Sequence, residues 1–231
     1  MTSFVLIQGG SFAGSCWNRV VPLLPEPVIA LDLPGRGSRA RELAGITIAD
    51  FVDAVVDDIE SRDLRDVILV GHSMAGLTMP GVAERIAERL HHLVFVACTV
   101  PADGERIVDT LDPEIRAIAE RNAANPSGGK LDDAMATAMF CNDMDDDQIR
   151  FTLERMVPEA TQVTVEPVSL KGLRHPIPRT WIRTDHDIVV PPARQDLFAE
   201  RVGATVVPLD AAHMAMISRP HALAHALISI S

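Results

Sequence analysis

The chain is poor in cysteine, in basic side chains and in long apolar runs, and each shortage excludes a class of protein. Its 231 residues contain three cysteines, Cys16, Cys98 and Cys141, which are widely spaced and include no C-x-x-C pair. An odd number of scattered cysteines does not make a disulfide framework, so we expect reduced thiols in a cytoplasmic protein.

Basic residues are scarce relative to acidic ones. The net charge is −11 and the isoelectric point is near 5.1. Nucleic acids and anionic membranes bind basic surfaces, so neither is expected as a partner. No apolar run approaches the roughly 20 residues that cross a bilayer. No basic segment precedes a long apolar stretch near the N-terminus, so we expect no signal peptide.

One hexapeptide carries most of the functional information. Gly71-His72-Ser73-Met74-Ala75-Gly76 follows an apolar run at 66–70 and leads into a helical pattern at 77–90. A turn this tight between strand and helix strains its middle residue, lifts that side chain clear of the sheet and needs small neighbours. The sequence therefore predicts a nucleophilic Ser73, with a serine at an ordinary strand-to-helix turn as the alternative. Ala75 departs from the usual G-x-S-x-G pattern but is also small.

A serine nucleophile needs a base, and the base needs an orienting carboxylate. In the fold that this turn suggests, the partners follow in the order serine, acid, histidine. Two late β-rich runs, 180–184 and 205–209, lead into Asp185-His186-Asp187 and Asp210-Ala211-Ala212-His213. Open α/β sheets collect their chemistry at this edge. His213 is the predicted base because, of the eight histidines, it alone follows the last strand and precedes the last helix.

Other residues in the same two segments are also candidates for the base or the acid. His186 lies between two candidate acids and is the strongest rival to His213. Asp185 and Asp187 both follow a predicted strand, and neither is excluded by its position. Asp210 is the weaker candidate acid because it lies too near His213 along the chain to reach the back of its ring easily.

Alternation of strands and helices predicts one α/β domain spanning 1–231 with a parallel sheet. Predicted strands are 4–7, 28–33, 67–70, 93–97, 180–183 and 205–209; predicted helices are 16–24, 48–61, 74–90, 193–201 and 220–230. The alternation breaks over 101–178, where three helical patterns occur. We interpret 101–178 as a helical cap over the active site, with a separate second domain as the alternative.

Several blocks together resemble one family. They are 4–10 with Gly14 and Trp17, 30–37 (Ala-Leu-Asp-Leu-Pro-Gly-Arg-Gly), 67–76, 184–191 and 212–216. The chain resembles an α/β-hydrolase, and specifically the compact branch of plant methyl-ester esterases and their hydroxynitrile lyase relatives. The blocks run from the first strand to the last helix. The resemblance implies a mostly parallel central sheet flanked by helices, with a small helical cap.

The resemblance also implies site roles. It selects Asp187 as the acid, because a proline falls four residues after the acid in the matching block, as Pro191 does here. It places one oxyanion donor at the backbone of Gly10, while the other is expected at Met74, the residue after the nucleophile. Family members usually carry histidine where this chain has Gln8.

The predicted reaction is hydrolysis of a small to medium hydrophobic ester through an acyl-enzyme on Ser73. It requires no metal and no organic cofactor. An acidic run at 142–147 lacks the glycine of a calcium loop and is interpreted as a helix cap. A homodimer is left open. Candidate substrate-binding residues, with core packing as the alternative, are Phe12, Met139, Phe140, Phe151 and Met214.

Two alternatives come from other functional classes. Hydroxynitrile lyases of the resembled family carry a threonine and a lysine at the positions of Gly9 and Met214, and the pattern here is the esterase-like one. A non-catalytic ligand-binding protein on the same scaffold need not keep all three catalytic residues, whereas this chain retains candidates for each.

Overall fold

Six apolar runs form one sheet in which every neighbouring pair of strands is parallel. The computed structural model describes residues 2–25, 27–125 and 128–230. The strands are β1 Ser3–Ile7, β2 Val28–Ala30, β3 Val67–His72, β4 Leu90–Val96, β5 Arg179–Thr184 and β6 Thr205–Leu209. Their order in the sheet is β2-β1-β3-β4-β5-β6. All six predicted strands are present, but β2 ends three residues earlier and β4 begins three residues earlier than predicted.

Helices lie between the strands and follow the last one. Thr47 is the N-cap of the first helix, Ile48–Ser61: its hydroxyl accepts a hydrogen bond from the Asp50 N–H at 3.2 Å, and the Asp50 carboxylate accepts from the Thr47 N–H at 2.8 Å. This reciprocal pair satisfies donors that the first helical turn leaves free. The helices are α1 Ile48–Ser61, α2 Met79–Ile86, α3 Pro113–Ala123, α4 Asp133–Phe140, α5 Asp146–Glu154, α6 Pro192–Val202, α7 Ala215–Ser218 and α8 Pro220–Ile228.

Two predicted helices are wrong in detail. The pattern at 16–24 forms two short 3₁₀ segments, Gly14–Trp17 and Val21–Leu23. Pro22 lacks the N–H that a continuous helix needs there. The pattern at 74–90 is divided into a 3₁₀ turn after β3, α2 and a second 3₁₀ turn. Pro80 lies in the first turn of α2, where its missing N–H costs nothing.

The segment between β4 and β5 carries α3, α4 and α5. Two isolated antiparallel bridges, Phe12 with Met156 and Gly129 with Glu159, are its β-type pairings among the described residues. At the start of α5, the Asp145 carboxylate accepts from the Gln148 N–H at 2.9 Å. The predicted helix cap within the acidic run is thereby confirmed. Pro126 and Ser127, part of the 101–178 prediction, lie outside the described residues.

Each face of the sheet is covered by its own apolar layer. On one face, α1, α2 and α6 pack against alternate strand residues, and Phe95 stacks on Trp181 with ring centroids 5.5 Å apart. On the other face, Trp17 and α8 pack against the remaining strand residues. All three cysteines are free and buried. Of the helices in the described part of the chain, none combines the length and apolarity needed to cross a membrane.

Candidate active site

The turn after β3 has the strained geometry that the sequence predicts. Ser73 has φ of +53°, in the left-handed region that side chains rarely adopt. A Cβ added at Gly76 would lie 2.3 Å from the Thr99 carbonyl oxygen. Ala75 is also buried, at 1% exposure. Small residues therefore let this turn approach the loop after β4 while the serine side chain faces outward.

Hydrogen bonds join the side chains of Ser73, His213 and Asp187 in that order, and we call these three residues the hydrogen-bonded row. His213 Nε2 lies 3.0 Å from Ser73 Oγ, and His213 Nδ1 lies 2.8 Å from Asp187 Oδ2. The carboxylate accepts the Nδ1 proton, which leaves Nε2 as an acceptor for the serine hydroxyl. The three residues come from the ends of β3, β5 and β6, which the parallel sheet brings to one edge.

Several hydrogen-bond donors stabilise the ionised form of Asp187. Its Oδ1 accepts from the Val189 and Val190 N–H groups, both at 2.8 Å, and its Oδ2 accepts from the Thr184 hydroxyl at 2.9 Å. Burial raises the pKa of Asp187, but His213 and these hydrogen bonds outweigh burial, so the pKa lies below its ordinary value. The ionised form is the one that orients His213.

The other candidates for the base and the acid make their contacts away from the His213 ring. Asp185 pairs with the Arg183 guanidinium at 2.9 Å. His186 Nε2 lies 2.7 Å from Asp210 Oδ1, and both side chains are largely exposed to solvent. The structure thus places Asp187 at the back of the His213 ring, and it places Asp185, His186 and Asp210 away from it.

His72, the last residue of β3, contacts both the backbone and the ring of His213. Its Nε2 lies 2.9 Å from the His213 carbonyl oxygen, and the two imidazole rings are 4.7 Å apart. Burial, followed by the charge of His213, lowers the pKa of His72 to about 3. A neutral His72 therefore donates its Nε2 proton to the backbone of His213, which fixes the position of that loop.

The predicted oxyanion donors line a cavity of about 480 Å³. Gly10 and Met74 both line it, together with Ser73 and His213. Gln8, buried at 1% exposure, links the loop after β1 to the segment that follows β2. With its amide oriented to satisfy both partners, it donates to the Leu31 carbonyl at 2.7 Å and accepts from the Leu33 N–H at 3.0 Å. Gln8 thus secures the loop that carries Gly10.

The cavity is lined by both apolar and polar side chains, and most of both come from the 101–178 segment. The apolar lining residues, called the apolar wall below, are Ile107, Leu131, Met139, Phe140 and Val189. The polar lining residues, called the polar rim below, are partly or fully exposed and are Asn122, Asn125, Lys130, Thr161 and Thr164. A lining of both kinds suits a ligand that has an apolar part and a polar part.

Of the five candidate substrate-binding residues, Met139 and Phe140 line this cavity. Phe12, at 1% exposure, packs edge-on against Phe140 with ring centroids 5.5 Å apart. Met214 is fully buried in the apolar layer below. The Arg19 and Arg155 guanidinium groups lie over the half-buried ring of Phe151, 4.4 and 3.4 Å from its centroid. None of these last three residues lines the cavity.

Three buried polar residues at the site were not predicted. Gln195, fully buried, donates from its amide to the Thr184 hydroxyl at 2.9 Å and to the Val190 carbonyl at 2.7 Å, which braces the loop around Asp187. Arg36 and Glu159 form a buried ion pair beside Gly10. Periodicity does not reveal such contacts, because their partners are distant in sequence.

A parallel sheet whose strand ends carry a serine on a strained turn, a buried histidine and a buried carboxylate defines a class of α/β proteins suited to nucleophilic chemistry. The model of the alpha/beta hydrolase family matches residues 4–226. The chain belongs to the alpha/beta hydrolase family.

Similar proteins are named esterases and hydrolases, as expected for a carboxylic ester hydrolase. A carbendazim hydrolyzing esterase of Nocardioides sp. (strain SG-4G) is 35% identical over 126 residues, or 51% of this chain and 52% of that protein. Methylesterase 9 of Arabidopsis thaliana is 26% identical over 252 residues, covering 100% of this chain and 98% of that protein. These relatives confirm the resemblance to the methylesterase branch.

A solved structure shows the same fold. An extracellular alpha/beta-hydrolase from a Paenibacillus species superimposes with a TM-score of 0.89 at 22% identity, covering 100% of this chain and 99% of that one. That hydrolase is described as sharing structural and functional homology with tobacco salicylic acid binding protein 2. At this level of identity the likeness concerns the fold.

Proposed function

We propose that this chain is a serine hydrolase that cleaves small to medium esters of hydrophobic carboxylic acids through an acyl-enzyme on Ser73. The hydrogen-bonded row from Ser73 through His213 to Asp187 carries the proposal. The names of the similar esterases support an ester as the substrate class.

In the proposed mechanism, His213 Nε2 takes the Ser73 proton as Oγ bonds to the ester carbonyl carbon. The N–H groups of Gly10 and Met74 donate to the resulting oxyanion, while Asp187 stabilises the imidazolium. His213 then gives its proton to the departing alkoxide oxygen, which leaves the acyl group on Ser73. A water molecule, deprotonated by His213, releases the acid by the same steps.

Residues 101–178 act in this proposal as a cap within one domain. The cap supplies most of the apolar wall, including Leu131, Met139 and Phe140, and this wall receives the acyl group. The alcohol side of the ester faces the polar rim. In this proposal, residues at the strand ends carry out the reaction, and the cap determines which esters bind.

Geometry at two positions favours an esterase over a lyase on the same scaffold. A Cβ at Gly9 would lie 2.8 Å from both the Ser73 Cβ and the His72 ring, so a threonine has no room there. Met214 is fully buried among apolar side chains, where a lysine ammonium would lack solvent. The intact row of three residues likewise favours an enzyme over a binding protein.

Hydrolysis of p-nitrophenyl and methyl esters of graded acyl size tests the proposal. Ser73→Ala should lower turnover by several orders of magnitude, since members of a triad act as a unit. Ser15→Ala, a serine outside the cavity lining, is the matched control and should retain activity. Turnover by Ser73→Ala above a few per cent of wild type contradicts the proposal, and cyanide release from a cyanohydrin would identify a lyase instead.

A further inference from the structure

One buried arginine joins three loops around the predicted oxyanion donor. Arg36, in the loop after β2, has a side chain only 1% exposed. Its Nη1 donates to the Gly9 carbonyl oxygen at 3.0 Å, and its Nη2 donates to both carboxylate oxygens of Glu159, at 2.5 and 2.6 Å. Glu159, from the 101–178 segment, accepts in turn from the Ser11 N–H at 2.7 Å.

These contacts hold the two peptide groups on either side of Gly10. The Gly9 carbonyl belongs to the same planar peptide as the Gly10 N–H, and in a trans peptide the two point in opposite directions. A hydrogen bond that fixes the carbonyl therefore fixes the direction of the N–H. The next peptide is held through the Ser11 N–H, and Ser11 has the strained φ of +63°.

We propose that Arg36 is a positioning residue for the oxyanion hole, acting through the Gly9 carbonyl, and that Glu159 holds Arg36 and Ser11 for that purpose. The proposal rests on the function proposed above, in which the Gly10 N–H binds the oxyanion. A cationic donor on the Gly9 carbonyl also polarises the shared peptide, which makes its N–H a stronger donor.

The ion pair between Arg36 and Glu159 also neutralises the negative charge of the Glu159 carboxylate beside Gly10. Glu159 lines the cavity, and its carboxylate lies 3.3 Å from the point where a Cβ on Gly10 would stand. An unpaired carboxylate there would repel a developing oxyanion. Two-point binding by the Arg36 guanidinium neutralises it, and only an arginine fork reaches the carboxylate and the Gly9 carbonyl together.

Arg36→Lys separates positioning from a structural role, because lysine keeps the charge near Glu159 but has no second arm for Gly9. Its kcat should fall by about 10²-fold, the effect of losing one oxyanion donor, while KM changes by less than about threefold because ground-state binding is intact. Affinity for a trifluoromethyl ketone, which forms a tetrahedral adduct on Ser73, should fall in parallel. Arg39→Lys is the matched control: Arg39 lies in the same loop but pairs with Asp58 at 2.8 Å.

Glu159→Ala and Glu159→Gln provide a second test that does not depend on the folding of Arg36→Lys. The alanine variant leaves the Ser11 N–H unheld and should lose kcat and ketone affinity together. The glutamine variant offers an amide oxygen to the same N–H and should recover most of both. If Arg36→Lys and Glu159→Ala each keep kcat and ketone affinity within about threefold of wild type, the proposal is overturned.

Failure of the proposed function gives a different result. If Ser73→Ala kept full ester turnover, the proposed function would fail, and the loop would be tested by a crystal structure of Arg36→Lys alone. A rotated Gly9–Gly10 peptide supports the positioning role. The same peptide orientation as in wild type overturns it.

Discussion

The ring of Phe140 lies nearly parallel to the imidazole of His213, with ring centroids 5.9 Å apart and an angle of 22° between their planes. Phe140 ends α4, whereas His213 follows β6, so this contact joins the 101–178 segment directly to the proposed base. Phe140 also lines the cavity at 6% exposure. The same ring therefore contacts the proposed base and the space for the acyl group.

Truncating Phe140 should change substrate preference. Phe140→Ala removes part of the apolar wall and so enlarges the cavity. The ratio of kcat/KM for a bulky ester to that for a short ester should therefore rise by about tenfold. Loss of a buried phenyl ring should also destabilise the fold by about 3–5 kcal/mol. Phe151→Ala is the matched control, because Phe151 packs against Arg19 and Arg155 outside the cavity lining. It should lower the melting temperature and leave the ratio unchanged. An unchanged ratio in Phe140→Ala would contradict the assigned role.

The two neighbouring aspartates should differ sharply. Asp187→Asn removes the acceptor that keeps the Nδ1 proton of His213 in place and should lower kcat/KM by about 10⁴-fold. Asp185→Asn breaks a partly exposed pair with Arg183 and should change kcat/KM by less than about threefold. Matched kinetics on one ester compare them. A larger loss in Asp185→Asn would show that the wrong acid has been assigned.

Stability should depend on pH through His72. Its pKa is lowered from 6.5 to about 3 in the folded state, first by burial, so between those values the unfolded chain binds a proton that the folded chain does not. The free energy of unfolding should therefore fall as pH drops from 6.5 toward 3, by up to about 1.4 kcal/mol per pH unit.

Urea unfolding between pH 7 and 4.5 measures that slope. Most of this window lies above the range in which the lowered pKa of Asp187 contributes, since the ordinary value of that group is 3.8. Contributions from Asp187 and from Glu166, whose pKa burial raises, are common to wild type and variant, so the comparison of the two slopes isolates His72. His72→Asn should flatten the slope, whereas His92→Asn should remove a smaller part, because burial lowers the pKa of the less buried His92 as well. Equal slopes in wild type and His72→Asn would exclude His72 as the source.

A methyl group at position 9 should impair catalysis. In Gly9→Ala the new Cβ would meet the Ser73 Cβ and the His72 ring at 2.8 Å, so one of them must move. We expect kcat to fall by about 10²-fold or more, because misplacement of a reacting group by about 1 Å has that effect. Activity assays with melting temperatures check this, and wild-type values of both would contradict the close packing described here.

Much of the fold was predictable because its signals are local. Six short apolar runs bounded by turns predict buried parallel strands, and strand ends in a parallel sheet share an edge, which brings Ser73 and His213 together. The predicted helix at 16–24 is wrong because Pro22 lacks the N–H that a continuous helix needs, and two short 3₁₀ segments form instead.

Other features depend on contacts that one sequence does not reveal. Asp187 was selected over Asp185 by the matching family block, since spacing leaves both open. Apolar periodicity identifies the inner face of a helix but not what covers it, which is why Phe151 was assigned to the pocket. Arg36 and Glu159 are 123 residues apart, and no motif links them.

Trapping the acyl-enzyme tests the central claim most directly. Wild-type protein is mixed with a p-nitrophenyl ester, quenched in acid during turnover and digested for mass spectrometry. The account predicts an added acyl mass on the peptide that carries Ser73, and no such adduct in Ser73→Ala. Ester turnover by the wild type with no acyl group on Ser73, or with the adduct on another residue, would contradict it.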